Sequence, residues 1–202
     1  MYICTEYHST TRPMPYPILK AAIHRIHALE EDEYQLFESG CTPKSFGRKE
    51  YLLRSGQTAR GVYFILEGAI GKYTLQDGKE IFEDFFFEGE FATDVASLTQ
   101  QQQSEYYLMA LESTEVLYAP REHLLQLYEI KPNFLNFGRK MLTELLVEKM
   151  RFSSLHTRMT ARERYEKVRD EQPRLLQRVP LQYLCSYLGM TRETLSRVRR
   201  GA

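Results

Sequence analysis

Residues 179–200 run Val179-Pro180-Leu181-Gln182-Tyr183-Leu184-Cys185-Ser186-Tyr187-Leu188-Gly189-Met190-Thr191-Arg192-Glu193-Thr194-Leu195-Ser196-Arg197-Val198-Arg199-Arg200. Leu181, Leu184, Cys185 and Leu188 recur at helical spacing, so a first helix has one apolar face. Gly189 follows, where a sharp turn takes positive φ at low steric cost. Thr191 suits the cap of a second helix and Glu193 its first turn. In that helix Met190, Leu195 and Val198 face inward, and Arg192, Glu193, Ser196 and Arg197 face outward. Arginine reads guanine O6 and N7, and glutamate accepts from cytosine N4, so the outer face has the chemistry of a major-groove reader. An ordinary helical hairpin with a solvated basic face has the same periodicity, so the rest of the chain decides between them.

Charge favours the groove reader. The 202 residues carry no formal net charge. From Thr157 onward, however, eleven basic side chains face five acidic ones, a net +6, which leaves −6 on residues 1–156. A basic module on an acidic body suits a DNA-binding head attached to a regulatory domain. Apolar content of 43% and charged content of 27% are those of a globular protein. No apolar run approaches the roughly 20 residues of a membrane span. Met1 to Pro17 has no apolar signal core. Cys4, Cys41 and Cys185 are too scattered for a disulfide framework or a metal knuckle, and the expected compartment is a reducing cytoplasm.

Three prolines, Pro13, Pro15 and Pro17, mark residues 1–17 as an irregular arm. Ile18 to Ser39 reads as short helices. From Lys44 to Pro120 short strands alternate with turns: Tyr51–Leu53, Gly61–Leu66, Ala69–Leu75, Ile81–Phe87, Tyr106–Ala110 and Val116–Ala119. Gln76-Asp77-Gly78-Lys79 is a hairpin signal. The expected fold class is α+β, an antiparallel β-roll of jelly-roll type with flanking helices. Pro132 to Leu155 reads as one long helix with two apolar rows. Met141, Leu145, Phe152 and Leu155, with Glu148 in the same stripe, are taken to meet a partner chain; Leu135, Leu142 and Leu146 form the second row. A further helix runs from Ala161 to Glu171 and stops before Pro173.

This arrangement of arm, roll, long helix and helix-turn-helix resembles the Crp/Fnr family of bacterial transcription regulators. The resemblance rests on Gly61-Val62-Tyr63-Phe64-Ile65-Leu66-Glu67-Gly68, Asp77-Gly78-Lys79-Glu80, Phe87-Glu88-Gly89-Glu90-Phe91 and Leu188 to Arg197. It implies an effector-sensing roll over residues 1–131, a dimerisation helix over 132–156 and a DNA-binding head over 157–202. It also implies a homodimer on double-stranded DNA that works with RNA polymerase and answers to a small-molecule effector, with no membrane partner and no enzyme activity. Its base-reading pattern falls on Arg192, Glu193, Ser196 and Arg197. Thr191, Arg199 and Arg200 flank the DNA, and the half-site expected by resemblance to the Fnr branch is TTGA. Little room follows this helix for a β-wing.

The family's cyclic-AMP site carries over badly. Its ribose-binding acid falls on Thr93-Asp94, and its phosphate-binding Arg-Ser pair falls on Ser104-Glu105. The long-helix positions that meet the purine fall on Val147 and Glu148. A carboxylate where a phosphate needs a cation repels it. No arginine lies between Phe91 and Ala119, and Lys72 is the nearest substitute. The effector is therefore left unidentified: an uncharged or cationic molecule, or an unliganded regulator controlled by abundance, fits these residues better than cyclic AMP.

Other chemistries fit less well. Three scattered cysteines cannot hold an iron–sulfur cluster, and no residue stands out as a haem ligand. His24 and His27 share a helical face but make a poor metal pair. A metal-dependent cupin places histidines on its roll, and Lys44 to Pro120 has none. The remaining alternative is a ligand-sensing or protein-interaction module whose DNA head does not function.

Overall fold

The computed structural model describes residues 16–200, with the side chains of Arg151 and Leu155 outside that description. The arm expected over residues 1–17 falls almost wholly outside it. Two short helices open the described chain, α1 (Pro17–Ile26) and α2 (Glu31–Ser39). Pro17 starts the first without loss of a helical donor, and the second is closed by a reciprocal Glu30–Glu33 capping box.

Eight strands follow: β1 (Thr42–Phe46), β2 (Tyr51–Leu53), β3 (Gly61–Glu67), β4 (Ile70–Gln76), β5 (Lys79–Phe86), β6 (Phe91–Ala92), β7 (Tyr107–Ala110) and β8 (Thr114–Pro120). They form two four-stranded antiparallel sheets, β1-β8-β3-β6 and β2-β7-β4-β5, packed as an open roll. Asp77 and Gly78 both take positive φ, 51° and 74°, so the β4–β5 turn is the tight hairpin the Asp-Gly pair signals. The expected strands are present within one or two residues at their ends. β1, the two-residue β6, and helices α3 (Val95–Gln100) and α4 (Arg121–Ile130) carry too weak a periodicity to be read beforehand.

Helix α5 spans Pro132–Arg158, slightly beyond the expected end. Its first turns bury Phe134 and Phe137 against Leu19, Ile23, Tyr34 and Phe37 of the leading helices and Phe64 and Leu117 of the roll. Asn133 secures that junction, bonding His27 Nε2 at 2.6 Å and donating to Glu33 at 2.7 Å. His27 is therefore a structural partner of α5, while His24 is exposed.

The remaining chain forms α6 (Ala161–Glu171), α7 (Pro173–Arg178), α8 (Leu181–Tyr187) and α9 (Arg192–Arg200). Their own core is Tyr165, Val168, Leu175, Leu184, Leu188 and Leu195. That core does not stop at the head. It continues without a gap into Tyr73, Phe82, Phe85 and Phe87 of the roll.

Candidate nucleic-acid interface and effector pocket

The turn between α8 and α9 has the geometry its sequence requires. Gly189 sits at φ +61°, its N–H bonds Ser186 O at 3.0 Å, and Met190 N–H bonds Cys185 O at 3.0 Å. These two bonds satisfy the last carbonyls of α8 in a Schellman closure. Thr191 Oγ1 then accepts from Thr194 N–H at 3.2 Å, which caps α9. Leu195 is fully buried, and Met190 and Val198 pack beside it. Thr191, Arg192, Glu193, Ser196, Arg197, Arg199 and Arg200 are all exposed on the opposite side. Three of the four arginines lie in the last turns, where the helix dipole favours them. Leu181, expected in the apolar face of α8, is exposed instead.

The other face of α8 does something the periodicity of Leu184, Cys185 and Leu188 did not announce. Tyr183 and Tyr187, one helical turn apart, press onto the roll. Tyr183 lies 4.4 Å from Phe82 and Tyr187 lies 5.4 Å from Phe85, centroid to centroid. Between them Ser186 Oγ accepts from Phe82 N–H at 2.9 Å and donates to Glu80 O at 2.7 Å. β5 is the outer strand of its sheet, so one hydroxyl satisfies two backbone groups of an otherwise open edge. Arg178 adds a forked pair to Glu88 and a further bond to Glu112. The pair Tyr183/Tyr187 at spacing four was the available signal.

Between the roll, α5 and the head lies a cavity of about 420 Å³. Thr93 and Asp94 line it, as the resemblance implies, and so does Glu148. Ser104 is buried beneath, donating to Asp94 Oδ2 at 2.7 Å. Glu105 and Val147 are exposed and do not line the cavity, so the repulsion expected from Glu105 is absent. Lys72 supplies the cation. Its ammonium lies 3.9 Å from Asp94 and 4.0 Å from the Tyr106 ring centroid, with the side chain 9% exposed.

Sequence reading missed Asp84, which stands directly across the strand pair from Lys72. Burial pushes its carboxyl up to about 7, Glu148 adds to the shift, and Lys149 and Lys72 oppose it. Burial draws the Lys72 ammonium below its usual value, with Asp94 pulling the other way. A charged pair interrupting two apolar strands was the signal.

The two rows of α5 have exchanged places relative to expectation. Met141 packs on the core shared by α1, α2 and the roll. The Phe152 ring lies 5.1 Å from that of Tyr187, centroid to centroid and tilted to it, and Leu145 lines the cavity. Leu135, Leu142, Leu146 and Met150 are instead 54%, 48%, 62% and 65% exposed. The head and the roll cover the first row, and the second is mostly open to solvent, with Leu142 and Leu146 also at the cavity rim. Glu148 lies at the cavity edge, and the Leu155 side chain lies outside the described residues.

The family of the cyclic nucleotide-binding domain matches residues 43–131. FixK2 from Bradyrhizobium japonicum superposes with a TM-score of 0.72 at 23% identity, over 80% of this chain and 83% of that one. The chain has the Crp/Fnr fold. CLP from Xanthomonas campestris, described as a c-di-GMP responsive global regulator, gives 0.67 at 21% identity over 85% and 91% of the two chains. Catabolite activator protein from Thermus thermophilus gives 0.54 at 20% identity over 89% and 85%. No curated protein sequence matches the chain. The cavity lies between the roll, the long helix and the head, and α9 is the last helix of the described chain. No helix among the described residues is long and apolar enough to cross a membrane, and no described cluster of three metal-ligating side chains exists.

Proposed function

We propose that the chain is a homodimeric DNA-binding transcription regulator that senses a small effector in the roll. The observation that carries this reading is the capped helix α9, which presents four arginines and Glu193 to solvent on a buried Leu195 anchor. Dimerisation through the exposed Leu135, Leu142, Leu146 and Met150 row brings two such helices into successive major grooves, about 34 Å apart on B-DNA. Lys72, Asp84, Asp94 and Glu148 are among the charged side chains that line the effector cavity. The head over residues 157–202, the helix over 132–156 and the roll before them are its three working parts, and RNA polymerase is the partner it acts on.

The test is fluorescence anisotropy against duplexes enriched from a random pool. Sequence-dependent binding whose logarithm falls linearly with the logarithm of salt concentration supports the regulator. No enrichment, with a flat salt response, makes the chain a ligand-sensing module with an inactive head.

A further inference from the structure

The cavity has an unusual charge inventory. Lys149 pairs with Glu83 at 3.1 Å and Lys167 with Glu171 at 3.5 Å. Asp94 answers Lys72 and is also held by Ser104. Asp84 on β5 and Glu148 on α5 remain, two acids lining the cavity that are in no ion pair among the described residues. Asp84 accepts only the N–H of its neighbour Phe85, at 3.1 Å. The Lys72 side chain is 9% exposed and lines the same cavity, and its ammonium donates no hydrogen bond among the described residues. An ammonium has three donors, so these remain open to an occupant of the cavity. The cavity thus holds an unmet donor beside an unmet negative site, and Leu142, Leu145, Phe86 and Phe152 form an apolar wall around them.

We propose that the effector is a small zwitterion with an apolar body, an apolar or aromatic α-amino acid, whose carboxylate takes Lys72 and whose ammonium takes Asp84 and Glu148. Lys72 and Asp84 are cross-strand partners, so their side chains are spaced for adjacent charges on one small molecule. The ligand is neutral overall, so it meets both sites without adding net charge to a partly buried cavity. Val168 of α6, Gln172 just past its end and Tyr187 of α8 close the same space. An occupant therefore touches roll, long helix and head at once, and it holds the head against the roll.

This assignment rests on the effector reading of the cavity. Calorimetry on the full chain with phenylalanine, phenethylamine and 3-phenylpropanoate tests it. Phenylalanine is expected to saturate below about 1 mM. Each single-charge analogue should bind about 10-fold more weakly or worse, the loss of one charge-assisted contact. Lys72→Met should abolish the advantage of phenylalanine over phenethylamine, and Asp84→Asn its advantage over 3-phenylpropanoate. If Lys72→Met does not fold, the analogue series on the wild type decides alone. Absence of saturable phenylalanine binding, or equal binding of the three probes, overturns the proposal. Anisotropy on the same preparation keeps the readings apart. DNA binding without amino-acid binding overturns only the ligand, and the reverse overturns only the regulator.

Discussion

Arg178 on α7 reaches Glu88, in the loop after β5, through two parallel bonds of 2.7 and 2.8 Å, and that pair fastens the head to the roll. Gly68 N–H donates to the same carboxylate at 3.0 Å, and the Phe87 ring lies 5.2 Å beneath the guanidinium. Both side chains are about three-quarters covered. A fork-on-fork pair in that setting is specific in direction as well as strong. Arg178→Ala leaves Glu88 half-covered without its cation and should cost roughly 2–3 kcal/mol of head docking. Hydrogen exchange over residues 173–188 is the readout, with faster exchange expected there and little change in β3 and β8. Unchanged protection in 173–188 would show that the aromatic contacts alone hold the head.

The same pair sets a pH dependence. Arg178 and other bonds hold the Glu88 carboxyl down to about 2 from its usual 4.5. A depressed acid contributes stability that is present above the unfolded value and lost as pH falls through the folded one. Docking should therefore be intact at pH 6 and weaken progressively below about 4.5. Glu88→Gln should be less stable than wild type at pH 6, and the two should converge near pH 2. Parallel curves across the range would remove Glu88 from the docking energetics.

Leu135→Glu combined with Met150→Glu places two charges on the part of the exposed α5 row that does not line the cavity, and sedimentation should report a folded monomer with weakened DNA binding. Phe152→Asp should act differently. Phe152 is half-buried against Tyr187 and His156 inside one chain, so this change should lower the melting temperature, by less than the roughly 3–5 kcal/mol that a fully buried aromatic costs. A dimer that survives both changes on the row would move the interface elsewhere.

Those two rows show what the sequence made legible and what it did not. Period and punctuation placed the strands, the β4–β5 hairpin, the long helix and the Gly189 turn, because each is a local consequence of residue type. Which row of α5 faces inward is not local. It depends on the head folding back so that Tyr187 meets Phe152 and Phe85. Asp84 was invisible for a related reason. Its partner Lys72 is named only by strand register, which shifts between Lys72 and Tyr73. The recognition face was legible because a capped, exposed helix writes its chemistry on consecutive turns.

On that face, Arg197→Ala should weaken specific binding by about 1–3 kcal/mol while sparing random duplex, as loss of a base contact does. Arg199→Ala and Arg200→Ala should weaken both alike and reduce the salt slope by about one unit each, as loss of phosphate contacts does. Equal losses on specific and random DNA for Arg197→Ala would assign it to the backbone.

Asp84 should make stability fall as pH rises. Its carboxyl is raised to about 7, so the folded chain keeps a proton that the unfolded chain has released. Between the usual 3.8 and about 7 the cost grows with pH, at about 1.4 kcal/mol per unit before relief by water at the cavity. The groups facing it are Lys72 on β4, Glu148 and Lys149 on α5, and Tyr187 on α8. Asp84→Asn should therefore be more stable than wild type at pH 7.5 and indistinguishable from it near pH 4. The opposite ordering at pH 7.5 would mean that Lys72 stabilises the carboxylate more than burial opposes it.

Cyclic AMP should not bind. Ser104 stands where the resemblance places a phosphate-binding arginine, and its hydroxyl already donates to Asp94. Among the described residues lining the cavity Lys72 is the buried ammonium, and Asp94 faces it at 3.9 Å. A cyclic phosphate brings a negative charge to a lining that also carries Asp84 and Glu148, neither of them in an ion pair among the described residues. An amino acid brings its own ammonium to that wall, so the two ligands differ in sign where the cavity is least tolerant. The missing charge-assisted bond is worth about 1.5–3 kcal/mol, and repulsion adds to it. Titration with cyclic AMP at millimolar concentration should give no saturable heat. A dissociation constant below about 10 μM, roughly −7 kcal/mol, would mean that Lys72 turns from Asp94 to the phosphate. Lys72→Met should then abolish the binding.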